Sequence, residues 1–129
     1  MPHVDARTLR RVGVIAAALL AVVAAPAAGH TDITSSSPAD GAVVDRVPAR
    51  VVLTFGQTIG GAEAVTLTRN GVDNLVKSAR RDPRNARRVL VTLKQPGTRK
   101  QAGRYRLSWR VSAPDGHAMR GVIAFRVRP

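Results

Sequence analysis

From residue 104 to residue 111, apolar and polar residues change places at every step, and no other stretch constrains the fold as tightly. Tyr105, Leu107, Trp109 and Val111 fall on one face, with Arg104, Arg106, Ser108 and Arg110 on the other. That is the side-chain period of a half-buried strand. The same period recurs where Val51, Leu53 and Phe55 alternate with Val52 and Thr54, and where Val65 and Leu67 alternate with Thr66 and Thr68. It returns in Val89, Val91 and Leu93, and again in Ile123, Phe125 and Val127, where Arg126 and Arg128 would face water. Asn70-Gly71 predicts a tight hairpin turn, with Val72 to Val76 returning as a ragged partner strand. Ser35 to Gly41 reads as a turn cluster, Arg80 to Arg88 as an arginine-rich loop marked by Asp82-Pro83 and Asn85, and Gln95-Pro96-Gly97 as a further break. These segments show no helical period and no internal repeat. Six to seven short strands predict an all-β antiparallel sandwich or barrel, with Phe55, Trp109 and Phe125 anchoring its core.

Residues 1–29 read as a separate object. Arg7, Arg10 and Arg11 precede an almost unbroken run of Val, Ile, Ala and Leu from Val12 to Ala25, and small residues follow from Pro26 to Gly29. Charge, a short apolar core and then small residues is the order of a secretory signal peptide. The run is about 14 residues, short of the roughly 20 that span a hydrocarbon core, so a cleaved leader is expected rather than an anchor. Cleavage after Ala27 and cleavage after Gly29 both satisfy the small-residue rule, and the second makes His30 the new N-terminus. Arg10-Arg11 raises a twin-arginine route, against which stands Gly13 where that signal favours a bulky apolar residue. The expected organisation is a signal peptide over 1–29 and one domain over 30–129, placed in the periplasm or extracytoplasmic cell envelope.

Of the 21 Lys and Arg and the 8 Asp and Glu in the chain, three and one precede residue 30, which leaves 18 against 7, a net charge of +11. An exported domain seldom meets nucleic acid, so the expected counterpart of this charge is an anionic cell-envelope surface. The chain has no cysteine. Its core must therefore hold the domain without disulfides, and any metal is left with nitrogen, oxygen or thioether donors.

Beyond the leader two histidines remain, His30 and the His117 of Pro114-Asp115-Gly116-His117. An N-terminal histidine chelates through its free α-amine and ring Nδ1, closing a six-membered ring around a metal. A second imidazole from His117 completes three nitrogens in a T shape, and Asp115 can supply an oxygen nearby. Nitrogen and oxygen donors in a tetragonal arrangement suit Cu(II). Asp115 and His117, two apart, would project to one side of an extended backbone. The alternative is a turn in which Asp115 caps nearby amides and His117 is an ordinary surface residue.

The run from His30 to Gly41, His-Thr-Asp-Ile-Thr-Ser-Ser-Ser-Pro-Ala-Asp-Gly, resembles the mature N-terminus of the CopC family of periplasmic copper-binding proteins. Gly103 to His117 resembles that family's second signature, G-x-Y-x-V-x-W-x-V-x-S-x-D-G-H, and Gly121 to Val127 its closing G-x-x-x-F-x-V strand. Val51 to Phe55 fits as well. The resemblance implies a seven-stranded Greek-key β-sandwich or barrel, similar to cupredoxin and immunoglobulin folds. It implies one Cu(II) per chain, bound by the His30 amine and imidazole and by His117, with Asp115 as an oxygen ligand or close electrostatic partner. The implied role is non-enzymatic copper resistance, storage or delivery by a monomer, with a separate CopD-like membrane protein as a candidate partner. Two departures stand out. Gly56-Gln57-Thr58 lacks the carboxylate that members often carry after this strand, and Met119 is the one methionine of the mature chain, expected to pack rather than to ligate Cu(I).

Two other readings compete. An N-terminal histidine with a second histidine is also the copper brace of lytic polysaccharide monooxygenases, but Tyr105 and Trp109 both lie on the predicted inward face, away from any polysaccharide. A metal-free immunoglobulin-like adhesion module would hold His30 and His117 far apart.

Overall fold

The computed structural model describes residues 33–97 and 100–129. Alternating apolar residues build two four-stranded sheets packed face to face. The strands are β1 (Ile33–Ser37), β2 (Val43–Val44), β3 (Arg50–Phe55), β4 (Gly61–Arg69), β5 (Val76–Asp82), β6 (Asn85–Leu93), β7 (Gly103–Ser112) and β8 (Ala118–Val127). One sheet has the order β1-β3-β6-β5 and the other β2-β8-β7-β4. Every pairing is antiparallel except the short β2 against β8. This is the all-β sandwich expected, with eight strands among the described residues rather than six or seven.

The inward positions of the alternating strands are the core: Val51, Leu53, Phe55, Leu67, Val89, Val91, Tyr105, Leu107, Trp109, Val111, Ile123, Phe125 and Val127 are all buried. Phe55 of one sheet meets Trp109 of the other edge-to-face, with ring centroids 5.0 Å apart and planes at 87°. Tyr105 stacks on its cross-strand neighbour Phe125 at 5.1 Å. The Tyr105 hydroxyl donates to the Gln101 carbonyl at 2.6 Å, so its polar end is satisfied inside the core. Burial raises the Tyr105 pKa, and the nearby Arg69 charge partly offsets that rise. Tyr105→Phe is expected to lower stability by about 1 kcal/mol, because the Gln101 carbonyl loses its donor. Urea unfolding followed by circular dichroism measures it.

Three local expectations change. The Asn70-Gly71 turn forms as predicted, with φ of 49° and 81° and paired hydrogen bonds between Arg69 and Val72, the backbone of a type I′ turn. However, Val72 to Leu75 runs beside β4 only through the Arg69–Val72 bridge and the Leu75 amide donating to the Leu67 carbonyl at 2.8 Å, and forms no partner strand there. Asp73 takes a left-handed φ of 65°, Asn74 Oδ1 accepts from the amides of Leu67 and Val76, and β5 crosses to pair with β6 in the other sheet. The arginine-rich segment is likewise no loop. Arg80 and Arg81 lie in β5, Arg87 and Arg88 lie in β6, and only the Asp82–Asn85 corner turns, held by Asp82 Oδ1 accepting from the Arg84 amide at 2.9 Å. Finally, Ser35 to Ser37 belong to edge strand β1, which pairs with β3 through a bulge, so the turn is confined to the residues after Ser37.

Candidate metal centre

β7 and β8 are joined by the five residues Ala113 to His117, after the last register pair Ser112–Ala118. The link closes tightly: the Ala113 amide donates to the His117 carbonyl at 2.7 Å, and the Gly116 amide to the Ala113 carbonyl at 2.9 Å. Gly116 sits at φ 89°, a left-handed conformation that favours glycine.

Within this turn Asp115 and His117 meet twice. Asp115 Oδ1 accepts from the His117 backbone amide at 3.0 Å, and Asp115 Oδ2 lies 2.8 Å from His117 Nδ1. A glycine-hinged turn with Asp115 capping an amide and His117 exposed is the local geometry of the alternative reading, and the extended backbone on which the two would share one side does not form. Both side chains are well exposed, 84% for His117 and 64% for Asp115. The backbone hydrogen bond from His117 holds the Asp115 carboxyl below its ordinary value, reinforced by the side-chain contact. A depressed carboxyl pKa gives the turn a stabilisation that is present above the ordinary carboxyl range and fades as pH falls through the lowered value. With Nδ1 engaged by the carboxylate, His117 Nε2 is left facing outward, the arrangement in which a carboxylate fixes the tautomer and direction of a metal-binding imidazole.

The surrounding elements converge on this end of the sandwich. The Gly60 amide donates to the Ser112 carbonyl at 2.6 Å, and a Cβ on Gly60 would lie 3.0 Å from the Ala113 carbonyl oxygen, so the β3–β4 loop rests directly on the base of the hairpin. Gln57, just past β3, contacts Met119 Sδ through Nε2 at 3.2 Å. Met119 itself is buried in the core, the packing role expected of it. Ile33, the first residue of β1, pairs with Phe55, the last of β3. The chain therefore enters β1 at the end of the sandwich that carries Asp115 and His117. His30 lies outside the described residues, as does the leader over 1–29. Among the described residues no group of three or more His, Asp or Glu gathers to hold a metal; Asp115 and His117 supply two donors on one turn. No helix among them is long and apolar enough to cross a membrane.

A cupredoxin-like β-sandwich with an exposed carboxylate–imidazole pair on its β7–β8 turn is the class of protein defined so far. The CopC domain model matches residues 33–128. The chain is 32% identical over 129 residues to copper resistance protein C of Xanthomonas campestris pv. juglandis, covering 95% of this chain and 97% of that protein. It is 30% identical over 114 residues to copper resistance protein C of Pseudomonas syringae pv. tomato, covering 83% and 87%. The crystal structure of CopC from Methylosinus trichosporium OB3b superposes with a TM-score of 0.61 at 25% identity, over 75% of this chain and 92% of that one. The chain belongs to the CopC family.

Proposed function

We propose that this chain is an exported, non-enzymatic copper-binding protein that holds one Cu(II) for copper resistance, storage or delivery. In this reading the leader is removed at Gly29-His30, and His30 chelates through its new α-amine and its Nδ1. His117 adds a third nitrogen through Nε2. Asp115 acts chiefly on the imidazole: both its oxygens already accept hydrogen bonds from His117, so it orients the ligand and raises its basicity. Nitrogen donors with a carboxylate close by suit Cu(II) above its divalent competitors.

The observation that supports the reading is that β1 begins at the same end of the fold as the β7–β8 turn. β1 begins opposite Phe55, and the residues beyond Phe55 touch Met119, two positions from His117. His30 lies three residue steps before Ile33, an extended reach of roughly 10 Å, which suits a site shared between the N-terminus and the β7–β8 turn. Membership of the CopC family points the same way. A monooxygenase-type enzyme would need an aromatic platform for its polysaccharide, and all four Phe, Tyr and Trp rings of this chain are buried.

Copper titration of the mature chain tests the proposal. One Cu(II) per chain is expected, with His117→Ala weakening binding by about 100-fold and Asp115→Asn by about 10-fold, the scale of losing a ligand and its orienting partner. Unchanged affinity in His117→Ala would remove the turn from the site.

A further inference from the structure

The arginine-rich segment plays no part in the copper reading, and folding gives it a shape that the sequence does not show. On the outer face of the β1-β3-β6-β5 sheet, Val52 and Leu90 face each other across the β3–β6 pair, with Arg80 next in the row. Arg50, Arg80, Arg84 and Arg88 stand around these two half-buried apolar residues and enclose an open basin of about 460 Å³. One carboxylate lines it, that of Asp82, which is buried and already accepts from the Arg84 amide. Its nearest approach to Arg88 is 3.9 Å, longer than a hydrogen bond. The Arg88 Nε is shielded from solvent and has no hydrogen-bond partner. Arg81, by contrast, turns away to the Ile59 carbonyl at 3.1 Å.

Four guanidinium groups around a concave apolar floor, with a single acid among them, offer forked donors to an incoming anion, and the Arg88 Nε is a buried donor without a partner. A planar fork of N–H groups matches the oxygens of a phosphate. We propose that this basin is an oxyanion site that takes a phosphate group, whether free or borne on a lipid headgroup. The chain's overall positive charge is not enough to specify it. The outer face of the other sheet also carries arginines, with Arg104 opposite Arg126 and Arg110 opposite Arg120. There, however, Arg110 is held by Glu63 at 2.8 Å, and the row lies along neighbouring strands rather than around a hollow.

That second face supplies the control. Arg80→Gln/Arg84→Gln and Arg104→Gln/Arg126→Gln each remove two exposed positive charges, one pair from the basin and one from the opposite face. Inorganic phosphate is titrated while the arginine Nε–H signals are followed by NMR, and sedimentation is measured with vesicles of phosphatidylcholine with and without phosphatidylglycerol. The basin pair is expected to lower affinity by about tenfold or more, as loss of charge-assisted hydrogen bonds implies, while the opposite pair changes it less than about threefold. Arg88→Gln alone should reproduce the loss, and circular dichroism checks that each variant remains folded. Saturable shifts with inorganic phosphate identify a site for the free anion; basin-dependent binding to the phosphatidylglycerol vesicles alone identifies a lipid-borne phosphate. Equal weakening by both double variants overturns the proposal, because the binding would then be a diffuse response to net charge. Failure of both probes to bind the wild-type chain overturns it as well.

Discussion

Trp109→Ala is expected to destabilise the domain by about 3–5 kcal/mol, the usual loss for emptying a large aromatic site in a packed core. The ring lies on β7, is 3% exposed, and meets Phe55 of β3 edge-to-face, so it joins the two sheets rather than two neighbours within one. A domain of about 100 residues has roughly 5–15 kcal/mol of stability in total, and this chain has no cysteine with which to reinforce it. The variant should therefore lose about a fifth or more of its reserve. A conservative variant separates packing from polarity. The Trp109 indole Nε1 is buried without a partner, so Trp109→Phe removes an unsatisfied donor along with some volume, and its cost should stay below about 2 kcal/mol. Urea unfolding by circular dichroism distinguishes them: the Ala midpoint should fall by on the order of 2 M, the Phe midpoint by well under half as much. Equal shifts would mean that the part of the indole a phenyl ring lacks, not the aromatic contact with Phe55, governs stability at this position.

Which parts of this fold were legible in the sequence follows from where the burial lies. β3, β6, β7 and β8 carry the core, and their inward residues alternate plainly because each second position must avoid water. β1, β2, β4 and β5 are edge strands, and of these only β4 keeps buried apolar residues, Val65 and Leu67, at alternate positions, which is why it alone was readable. Ser35 and Ser37 of β1 are exposed, so its pairing with β3 depends on backbone groups that leave no apolar period behind. In β5 only Ala79 and the ends Val76 and Asp82 turn from solvent, and the arginines between them disguise the strand as a loop. Charged residues on sheet edges are common because they discourage pairing with other chains. The Asn70-Gly71 turn was readable to its backbone angles, but the chain beyond it was not, since the left-handed Asp73 and the Asn74 cap redirect it. At the candidate centre, Asp115 and His117 could be named as partners from their spacing. The turn with Asp115 capping an amide was one of two geometries that spacing allowed, but the second contact, from Asp115 Oδ2 to His117 Nδ1, leaves no signal in the sequence. The basin of Arg50, Arg80, Arg84 and Arg88 needed the β3–β6 register before residues 30 positions apart in the chain became neighbours.

Acetylating the α-amine of a chain that begins at His30 is expected to weaken Cu(II) binding by on the order of 100-fold or more. Disturbing a group that merely orients a ligand already costs roughly 10–100-fold, and acetylation removes a ligand outright by turning a basic amine into an amide. The amine is also tethered to the same residue as its partner imidazole, so at a high effective concentration it gains an advantage that no separate donor replaces. The charge change is a single unit in a domain carrying +11 and, screened at ordinary salt, is too small to mimic such a loss. A chain processed after Ala27 supplies the contrasting case. It begins Ala28-Gly29-His30 and offers an amine, two backbone amides and an imidazole from one short peptide, a chelate with no call on the β7–β8 turn. The two processing products thus differ in one measurable respect: copper binding should depend on His117 when the chain starts at His30 and be indifferent to His117→Ala when it starts at Ala28. Titrating both forms, each with and without that substitution, tests whether removal of the leader at Gly29-His30 is a step in building the site. Acetylated and free chains binding within a few-fold of one another would exclude the amine as a ligand.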